Sequence, residues 1–370
     1  MDPTTPTDAL GADETLGAGP PEAPPTPGRS VATRASLCAA GVAALLLVAI
    51  VLGSRGLRDF DSALVPYTVA TVFLAFGVTY RYVVWISAPG ARRLFRQGWR
   101  TALSWQNLRS TPTALPRLAV TYLGFQKFLG ARSHARWAAH QLMFWGCLLA
   151  AAITFPLTWG WFTFTASSAT GPGYAMRIWG FKVLGFDSGS FFGWAMYHGL
   201  DLAAVLVIAG AGYFLWRRTR DREAITGQRF GYDFLPLLAL ITISVTGLLL
   251  TFSTVALHGG GYEFLALLHM ASVVFTLVYL PFGKFFHIVQ RPAAVGMQLF
   301  KYVSRRGPEA EVRVCRRCSE PIDTAAYVDN LRATMRDLRL DFDEWAEYCP
   351  RCKRALRGSA YLSQVKRGFK

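Results

Sequence analysis

The sequence predicts an all-α polytopic membrane protein, a six-helix transmembrane bundle followed by a small cytoplasmic module. Three observations support this fold class. Of the 370 residues 52% are hydrophobic, and the apolar residues gather in long blocks instead of amphipathic stripes. Lys and Arg are concentrated in alternate connections between these blocks, and four of the six cysteines lie in the polar stretch after the last block.

Six blocks are long enough to cross a bilayer, because about 20 apolar residues span its hydrocarbon core as a helix. They cover residues 36–53, 64–86, 137–161, 190–216, 234–257 and 264–289. No alternating ten-residue pattern indicates a barrel, so all six are expected to be helices. We expect the first to be retained rather than cleaved, since a Pro-rich leader precedes it and no clear small-residue cleavage site follows.

The chain on either side of the bundle has a different composition. Residues 1–33 are rich in Pro, Gly, Thr and acidic residues and have almost nothing to bury, so we expect a disordered cytoplasmic tail. Residues 34–290 would form the six-helix domain. Residues 291–370 are polar and strongly charged, which indicates a separate cytoplasmic module.

The net charge of +16 is distributed as expected for membrane topology rather than for nucleic-acid binding. The second and fourth connections hold many cations, whereas the first, third and fifth hold few. By the positive-inside rule the second and fourth connections, and with them both termini, are cytoplasmic. The same cations also suit a surface that docks a partner. They include Arg92, Arg93, Arg96 and Arg100 in the second connection and Arg217, Arg218 and Arg220 in the fourth.

Two C-x-x-C pairs lie in the module. Cys315 and Cys318 form the first, and Cys349 and Cys352 form the second after thirty intervening residues. Each pair directs two thiolates at one point, so the four together suit a tetrahedral metal, and the reducing cytoplasm disfavours disulfides. The spacing therefore predicts a four-cysteine metal site.

Zinc is the metal that we expect, with a rubredoxin-like iron as the alternative. Rubredoxin pairs normally continue with Gly, whereas Ser319 and Lys353 follow here. Apolar residues at helical spacing predict a short helix over residues 324–340. Cys38 and Cys147 lie in apolar blocks and are expected to pack as small hydrophobic residues.

Two histidines in the last apolar block suggest a second site. His269 and His287 are eighteen residues apart, and in one continuous helix this spacing closes on five whole turns and about 27 Å of rise. Both rings would then share a face, one near each side of the membrane. A histidine inside a bilayer is costly unless it is paired or coordinated, and neutral imidazole is a haem ligand. The alternative is two interfacial histidines that bond to nearby carbonyls.

Depth along the helices selects the partners for two bis-histidine haems b. His140 should lie near the inner face with His287, and His198 should lie in the outer leaflet with His269. The other two histidines do not fit. His134 is expected at or beyond the helix start, and His258 falls in a Gly-rich turn.

The last block resembles the final helix of the cytochrome b gamma subunit of respiratory nitrate reductase. That family includes the membrane subunits of sulfite-reductase-linked and heterodisulfide-reductase-like complexes. The resemblance covers roughly residues 64–300 and is carried by the histidine spacing, the P-F-x-K-x-x-H ending and the preceding T-G-L-L-L-T sequence. It implies axial ligation by His269, His287 and His140. The sequence departs from the family at Ala150, where nitrate reductase supplies another histidine, so His198 is our substitute. If that substitution fails, the protein holds one haem or a five-coordinate outer haem.

The resemblance implies a dihaem electron-transfer subunit in a prokaryotic cell membrane. It would pass electrons between a membrane quinone or quinol and a cytoplasmic iron–sulfur or molybdenum partner in a hetero-oligomeric complex. Asp201 and Tyr197 are the candidates on the quinone side, since an ionisable group within a membrane helix is a functional candidate. Asp201 can also hold the His198 ring as a hydrogen-bond partner.

Other residues are candidates for contact with the haems. Gly247 would lie against a macrocycle, and Lys284 and Arg81 would pair with propionates, although ordinary snorkelling explains both cations equally well. Two alternatives belong to other classes. One is a proton-coupled transporter with a His and Asp relay, and the other is a haem-free membrane anchor with a zinc docking module.

Overall fold

Six long apolar helices dominate the computed structural model, which describes residues 28–107, 111–131, 133–166, 173–220, 228–306 and 310–368. Each is long and apolar enough to cross a membrane, which confirms the all-α membrane fold. In the most apolar stretch of each helix, only 6% to 28% of the residues are buried by the rest of the protein, as expected of surfaces that face lipid. These helices are α1 (Arg29–Gly53), α2 (Val65–Ser87), α6 (His134–Thr158), α7 (Phe191–Arg220), α8 (Leu235–Ala256) and α9 (Tyr262–Tyr279).

The first helix begins earlier than expected. Its first residue is Arg29, seven positions before the apolar block at 36, because the helix continues through Ser, Thr and Arg residues that present no breaker. The disorder expected for residues 1–33 therefore does not hold for 29–33. Its remainder, residues 1–27, lies outside the described residues.

The last apolar block is not one helix, and the expectation that it runs unbroken over 264–289 is wrong. Helix α9 ends at Tyr279, a single 3₁₀ turn covers Lys284–Phe286, and α10 (His287–Ser304) begins a new helix. Pro281 explains the break, because proline has no N–H to donate and its ring clashes with the preceding turn. His269 and His287 therefore do not share a helix face.

Neighbouring helices of the bundle pack in the order α1, α2, α9, α8, α7 and α6. Among the described helices, the α6–α7 contact is the most extensive. A Cβ on Gly146 would lie 2.9 Å from the carbonyl oxygen of Ala203, and one on Gly210 would lie 2.5 Å from that of Ala139. Small residues at these crossings allow the backbones to approach. In this packing order α8 lies between α7 and α9, the two helices that carry His198 and His269.

The connection after α2 forms a layer of short helices with α10, on what we call the basic side. Its helices are α3 (Pro89–Leu103), α4 (Thr111–Ala119) and α5 (Lys127–Gly130), and a π-helical segment, Val120–Gly124, follows α4. Helices α3 and α10 cross at Gly98 and Gly296, where a Cβ added to Gly98 would lie 2.9 Å from the Cα of Gly296, and one added to Gly296 would lie 3.2 Å from the Cα of Gly98. A side chain at Gly98 would therefore force the two helices apart.

The opposite end, which we call the sheet side, carries an antiparallel sheet that the sequence analysis did not predict. Strands β1 (Phe162–Ala166), β2 (Gly173–Ile178) and β3 (Phe181–Asp187) pair in chain order between α6 and α7. Trp161 joins this side to α1, since its indole N–H donates to the Ala49 carbonyl at 3.1 Å.

The C-terminal module consists of a hairpin and two helices. Strands β4 (Val312–Val314) and β5 (Pro321–Thr324) pair antiparallel, and α11 (Ala325–Asp337) and α12 (Pro350–Gly368) follow. Helix α11 confirms the helix predicted between the cysteine pairs, and Thr324 caps it by accepting from the Tyr327 N–H. The boundary expected at 290 falls inside α10, so a helix joins the module to the bundle.

Candidate functional site

His198 is held by a hydrogen-bonded chain that crosses two membrane helices. On α7 its Nδ1 lies 2.9 Å from Oδ2 of Asp201, one turn later. The other carboxylate oxygen of Asp201 accepts from the Thr251 hydroxyl of α8 at 2.8 Å. Because a carboxylate accepts, the His198 ring donates through Nδ1 and its Nε2 keeps a lone pair. Trp194 packs beside the ring with centroids 5.2 Å apart.

His269 is oriented in the same way by the other face of α8. Its Nδ1 lies 2.9 Å from the hydroxyl oxygen of Thr246. That hydroxyl has one proton, which it donates to the backbone carbonyls of Thr242 at 2.8 Å and Ile243 at 3.0 Å. Thr246 therefore accepts from His269 Nδ1–H, and Nε2 is left unprotonated. Gly247 lies against the ring, since an added Cβ would be 3.5 Å from Cε1.

The two sheet-side histidines lie equally far from the starts of their own helices. His198 is seven residues after Phe191, the start of α7, and His269 is seven residues after Tyr262, the start of α9. Seven residues of helix correspond to about 10 Å of rise. Both rings are also tied to threonines of α8. Their threonine partners differ in level, because Thr251 is five residues, about 7.5 Å of helix rise, closer to the sheet side than Thr246. The depth match expected for this pair therefore stays a prediction.

On the basic side, His140 lies six residues into α6 and His287 begins α10. His287 and Arg291 are neighbours of His140. His287 Nδ1 donates to the Lys284 carbonyl oxygen at 2.6 Å, which again leaves Nε2 with a lone pair. In the described part of the chain, Nδ1 of His140 is buried without a hydrogen-bond partner. The ring of Phe214 packs edge-on beside it, with centroids 6.4 Å apart.

Both cations that were expected to pair with propionates have protein partners. Lys284 Nζ lies 2.8 Å from Oδ1 of Asp233, an ion pair in which Arg218 also takes part at 3.0 Å. Arg81 donates to the carbonyl of Pro281 and stacks on Phe286 at 4.2 Å. These contacts hold the break between α9 and α10, and propionate pairing by either cation stays a prediction.

The remaining sequence candidates have these positions. His134 is the exposed first residue of α6, and His258 adopts a left-handed φ of 50° in the turn after α8. Tyr197 is 55% exposed and packs edge-on against Tyr174 of β2, with ring centroids 6.0 Å apart. Gly199 faces α6, because a Cβ there would lie 2.9 Å from Cδ1 of Ile153.

The four cysteines predicted to bind one metal come together in the module. One sulfur from each of Cys315, Cys318, Cys349 and Cys352 lies within 4.8 Å of the other three. Cys318 and Cys349 are 3.7 Å apart at sulfur, which matches the edge of about 3.8 Å of a tetrahedron with metal–sulfur bonds of about 2.3 Å. This cluster can hold a metal ion such as zinc.

The backbone of the module favours a thiolate at the cluster. Burial raises the pKa of Cys315, but N–H groups of Cys349, Cys318 and Arg317 outweigh this effect and lower it to about 6. Burial and the neighbouring thiols raise the pKa of Cys352 to about 12. A cation is therefore needed to deprotonate all four sulfurs together. Ser319 has a left-handed φ of 53°, so the first pair turns as a glycine-containing pair would.

Ion pairs attach the module to α3 and α10. Arg93 of α3 donates to both carboxylate oxygens of Asp337 at 2.6 and 3.1 Å. Asp323, whose side chain is 3% exposed, pairs with Lys301 and Arg305 of α10. Burial by itself raises the pKa of Asp323, and these two cations reverse the effect and lower it. The module is thus anchored to the helix that begins with His287.

Comparison with known proteins adds no relative: no family model, curated protein or solved structure matches the chain. The resemblance to the nitrate reductase gamma family therefore stays an expectation from sequence motifs.

Proposed function

We propose that the chain is a dihaem cytochrome b subunit, which transfers electrons between a membrane quinone or quinol and a cytoplasmic iron–sulfur or molybdenum partner. One observation carries the proposal. Three histidines, His198, His269 and His287, each donate Nδ1–H to an oxygen and thereby keep Nε2 available. Metal-ligating histidines nearly always have such a partner, because it fixes the tautomer and the ring orientation.

The fourth ligand of the proposal is His140. A polar atom that is buried in an apolar helix without a hydrogen bond is costly, and Nδ1 of His140 is such an atom. Coordination through Nδ1 itself would offset this cost, whereas coordination through Nε2 would leave it, so His140 lacks the hydrogen-bond partner that the other three histidines have. His140 with His287 would hold the inner haem b, and His198 with His269 would hold the outer one. When bound, the haems supply one-electron redox chemistry at a potential that the axial ligands help to set.

On the sheet side, the protein's own residues would orient the His198 ring, bind the quinol and accept its proton. Asp201 fixes the His198 ring and, through Thr251, ties α7 to α8. Tyr197, one residue before His198 and largely exposed, offers a hydroxyl to a quinol oxygen. Since Asp201 carries the carboxyl group among these residues, it is our candidate acceptor for a quinol proton.

We place the basic side in the cytoplasm of a prokaryotic cell, with both termini there, because of its excess of Lys and Arg. The four-cysteine module would then bind zinc in a structural role, since zinc has no redox chemistry. Together with α3 and α10 it would form the surface that docks the cytoplasmic subunits. A rubredoxin-like iron in the same cluster would instead make the module an electron carrier.

The experiment uses the full chain in lipid nanodiscs and duroquinol as the electron donor. His198→Ala should remove the outer haem and abolish duroquinol-driven reduction, while dithionite still reduces the inner haem. His134→Ala is the matched control, because His134 is an exposed histidine outside both pairs, and it should behave as wild type. If His198→Ala keeps both low-spin haems, the outer assignment is wrong and His258 becomes the next candidate ligand. A haem-free wild type would favour the anchor or the transporter.

A further inference from the structure

A cavity of about 510 Å³ opens between α4, the following π-helical segment and the start of α5. The carbonyl of Phe125, one of its wall residues, accepts from the Trp137 indole N–H at 2.6 Å and from the Gln141 amide at 3.2 Å. Both donors lie in the first turns of α6, a membrane span. The cavity therefore lies beside the end of this span, where hydrocarbon meets headgroups.

The cavity combines an apolar wall with two cations. Pro116, Val120 and Phe125 form the wall, and Arg117 and Lys127 lie at its edge. Val120 and Phe125 remain 54% and 51% exposed, although they are large apolar residues. An apolar wall next to paired cations is complementary to an anionic amphiphile, whose charged group and hydrocarbon each find a partner.

Within the part of the chain that the structure describes, no acidic side chain neutralises these cations. From residue 62 to residue 186 the sequence contains no Asp or Glu. Among the described residues, no carboxylate forms an ion pair with Arg117 or Lys127. Two cations that converge without a counter-charge repel each other, so an external anion stabilises this arrangement.

The local backbone is also constrained. Gln126, between two lining residues, has a left-handed φ of 48° and is 7% exposed, and its amide oxygen is buried without a partner. The preceding Val120–Gly124 segment is π-helical. Such irregular backbone persists where the surroundings hold it in place, and it is frequent at binding sites. Here it directs Val120, Thr121 and Phe125 toward one cavity.

We propose that this cavity binds the headgroup phosphate of an anionic phospholipid from the leaflet on the basic side. Arg117 and Lys127 would contact the phosphate, and the wall would cover the first methylenes of an acyl chain. The site would also brace the fold, because α4 packs against α10 and Arg291 of α10 stacks on Phe128 of α5 at 4.4 Å. The proposal does not depend on haem.

The test measures lipid binding to the full chain in detergent by native mass spectrometry and by thermal unfolding. Phosphatidylglycerol should bind tightly and raise the unfolding temperature, whereas phosphatidylcholine should not. Replacing both cations, Arg117→Gln with Lys127→Gln, should weaken phosphatidylglycerol binding about twenty-five-fold, since each cation near an anionic lipid contributes a factor of about five. The control, Arg96→Gln with Arg100→Gln, removes the same charge from exposed residues of α3 and should keep full binding.

A second variant tests the cavity without a change in charge. Val120→Trp should fill it and exclude the lipid while both cations remain. Three results would overturn the proposal. They are an unchanged phosphatidylglycerol preference in either cavity variant, an equal loss in the α3 control, which would indicate general attraction, or equal stabilisation by inorganic phosphate, which would indicate a soluble anion as ligand.

Discussion

The two histidine pairs are built in different ways. On the sheet side, His198 and His269 are each held by side chains that belong to membrane helices, and both chains of hydrogen bonds end on α8. On the basic side, His287 depends on a backbone carbonyl in a helix break, and His140 has an unpartnered nitrogen. The sheet-side pair is thus internal to the bundle, whereas the basic-side pair depends on contacts outside it.

The contacts outside the bundle connect the basic-side pair to the four-cysteine module. His287 begins α10, and farther along α10 Lys301 and Arg305 pair with Asp323 of the module. Helix α3, which crosses α10 at glycines, pairs with the module through Arg93 and Asp337. The difference between the pairs predicts that perturbing the module affects the basic-side haem alone.

The largest expected effect is the loss of one haem when a basic-side ligand is removed. His140→Ala and His287→Ala should each lower the haem content from about two per chain to about one, because bis-histidine ligation needs both rings. Redox titration of the remaining haem should give the sheet-side potential in both variants. Loss of both haems in either variant would show that the two pairs are not independent.

Removal of the module's metal should have a smaller and selective effect. Cys349→Ser breaks the four-thiolate site, so the bound metal should be lost and the hairpin and α11 should loosen. We expect an altered electron paramagnetic resonance signal from the basic-side haem and an unchanged signal from the sheet-side haem. Cys38→Ser, which replaces a cysteine of α1 outside the cluster, is the control. Two unchanged signals after metal loss would separate the module from the haem site.

On the sheet side, Thr246 should tune the outer haem through the tautomer of His269. Thr246→Val removes the acceptor and should weaken retention of this haem by about ten- to hundred-fold, the usual cost of losing a ligand's hydrogen-bond partner. Thr246→Ser keeps the hydroxyl and should restore retention and midpoint potential. If serine fails to rescue, the methyl group and its packing matter more than the hydrogen bond.

The smallest effect is expected from a change in Asp323, whose ion pairs with α10 attach the module to the bundle. Asp323→Asn removes a buried charged acceptor and should reduce the free energy of docking by about 2 kcal/mol, measured as protease sensitivity of α10. Because the folded pKa of Asp323 is lowered, the wild-type anchor should be fully present above its usual pKa near 4 and be lost as pH falls below it. Asp341→Asn, at an exposed acid, should change neither stability nor pH dependence.

Hydrophobicity and spacing predicted the parts of the structure that depend on local sequence. Six apolar blocks became six spans because a helix in lipid must satisfy its own backbone. The two C-x-x-C pairs predicted the cluster because the turn of each pair fixes the direction of its sulfurs. The helix between them followed from the spacing of its apolar residues.

Features that depend on tertiary contacts were missed. The break after Tyr279 was concealed by continuous hydrophobicity, although Pro281 is a local signal that could have revealed it. The pairing of Lys284 with Asp233 joins residues 51 positions apart, and no local pattern indicates it. The sheet between α6 and α7 was also missed, because its strands are only five to seven residues long and each pairs with a neighbour that its local sequence does not indicate.

The central claim is tested most directly by the haem content of the purified full chain. The protein would be produced with sufficient haem, and its pyridine haemochrome spectrum would be compared with protein concentration from amino-acid analysis. Two histidine pairs predict about two low-spin b haems per chain. A ratio near zero would contradict the claim that these imidazoles are axial ligands, and a ratio near one would contradict the sheet-side pair.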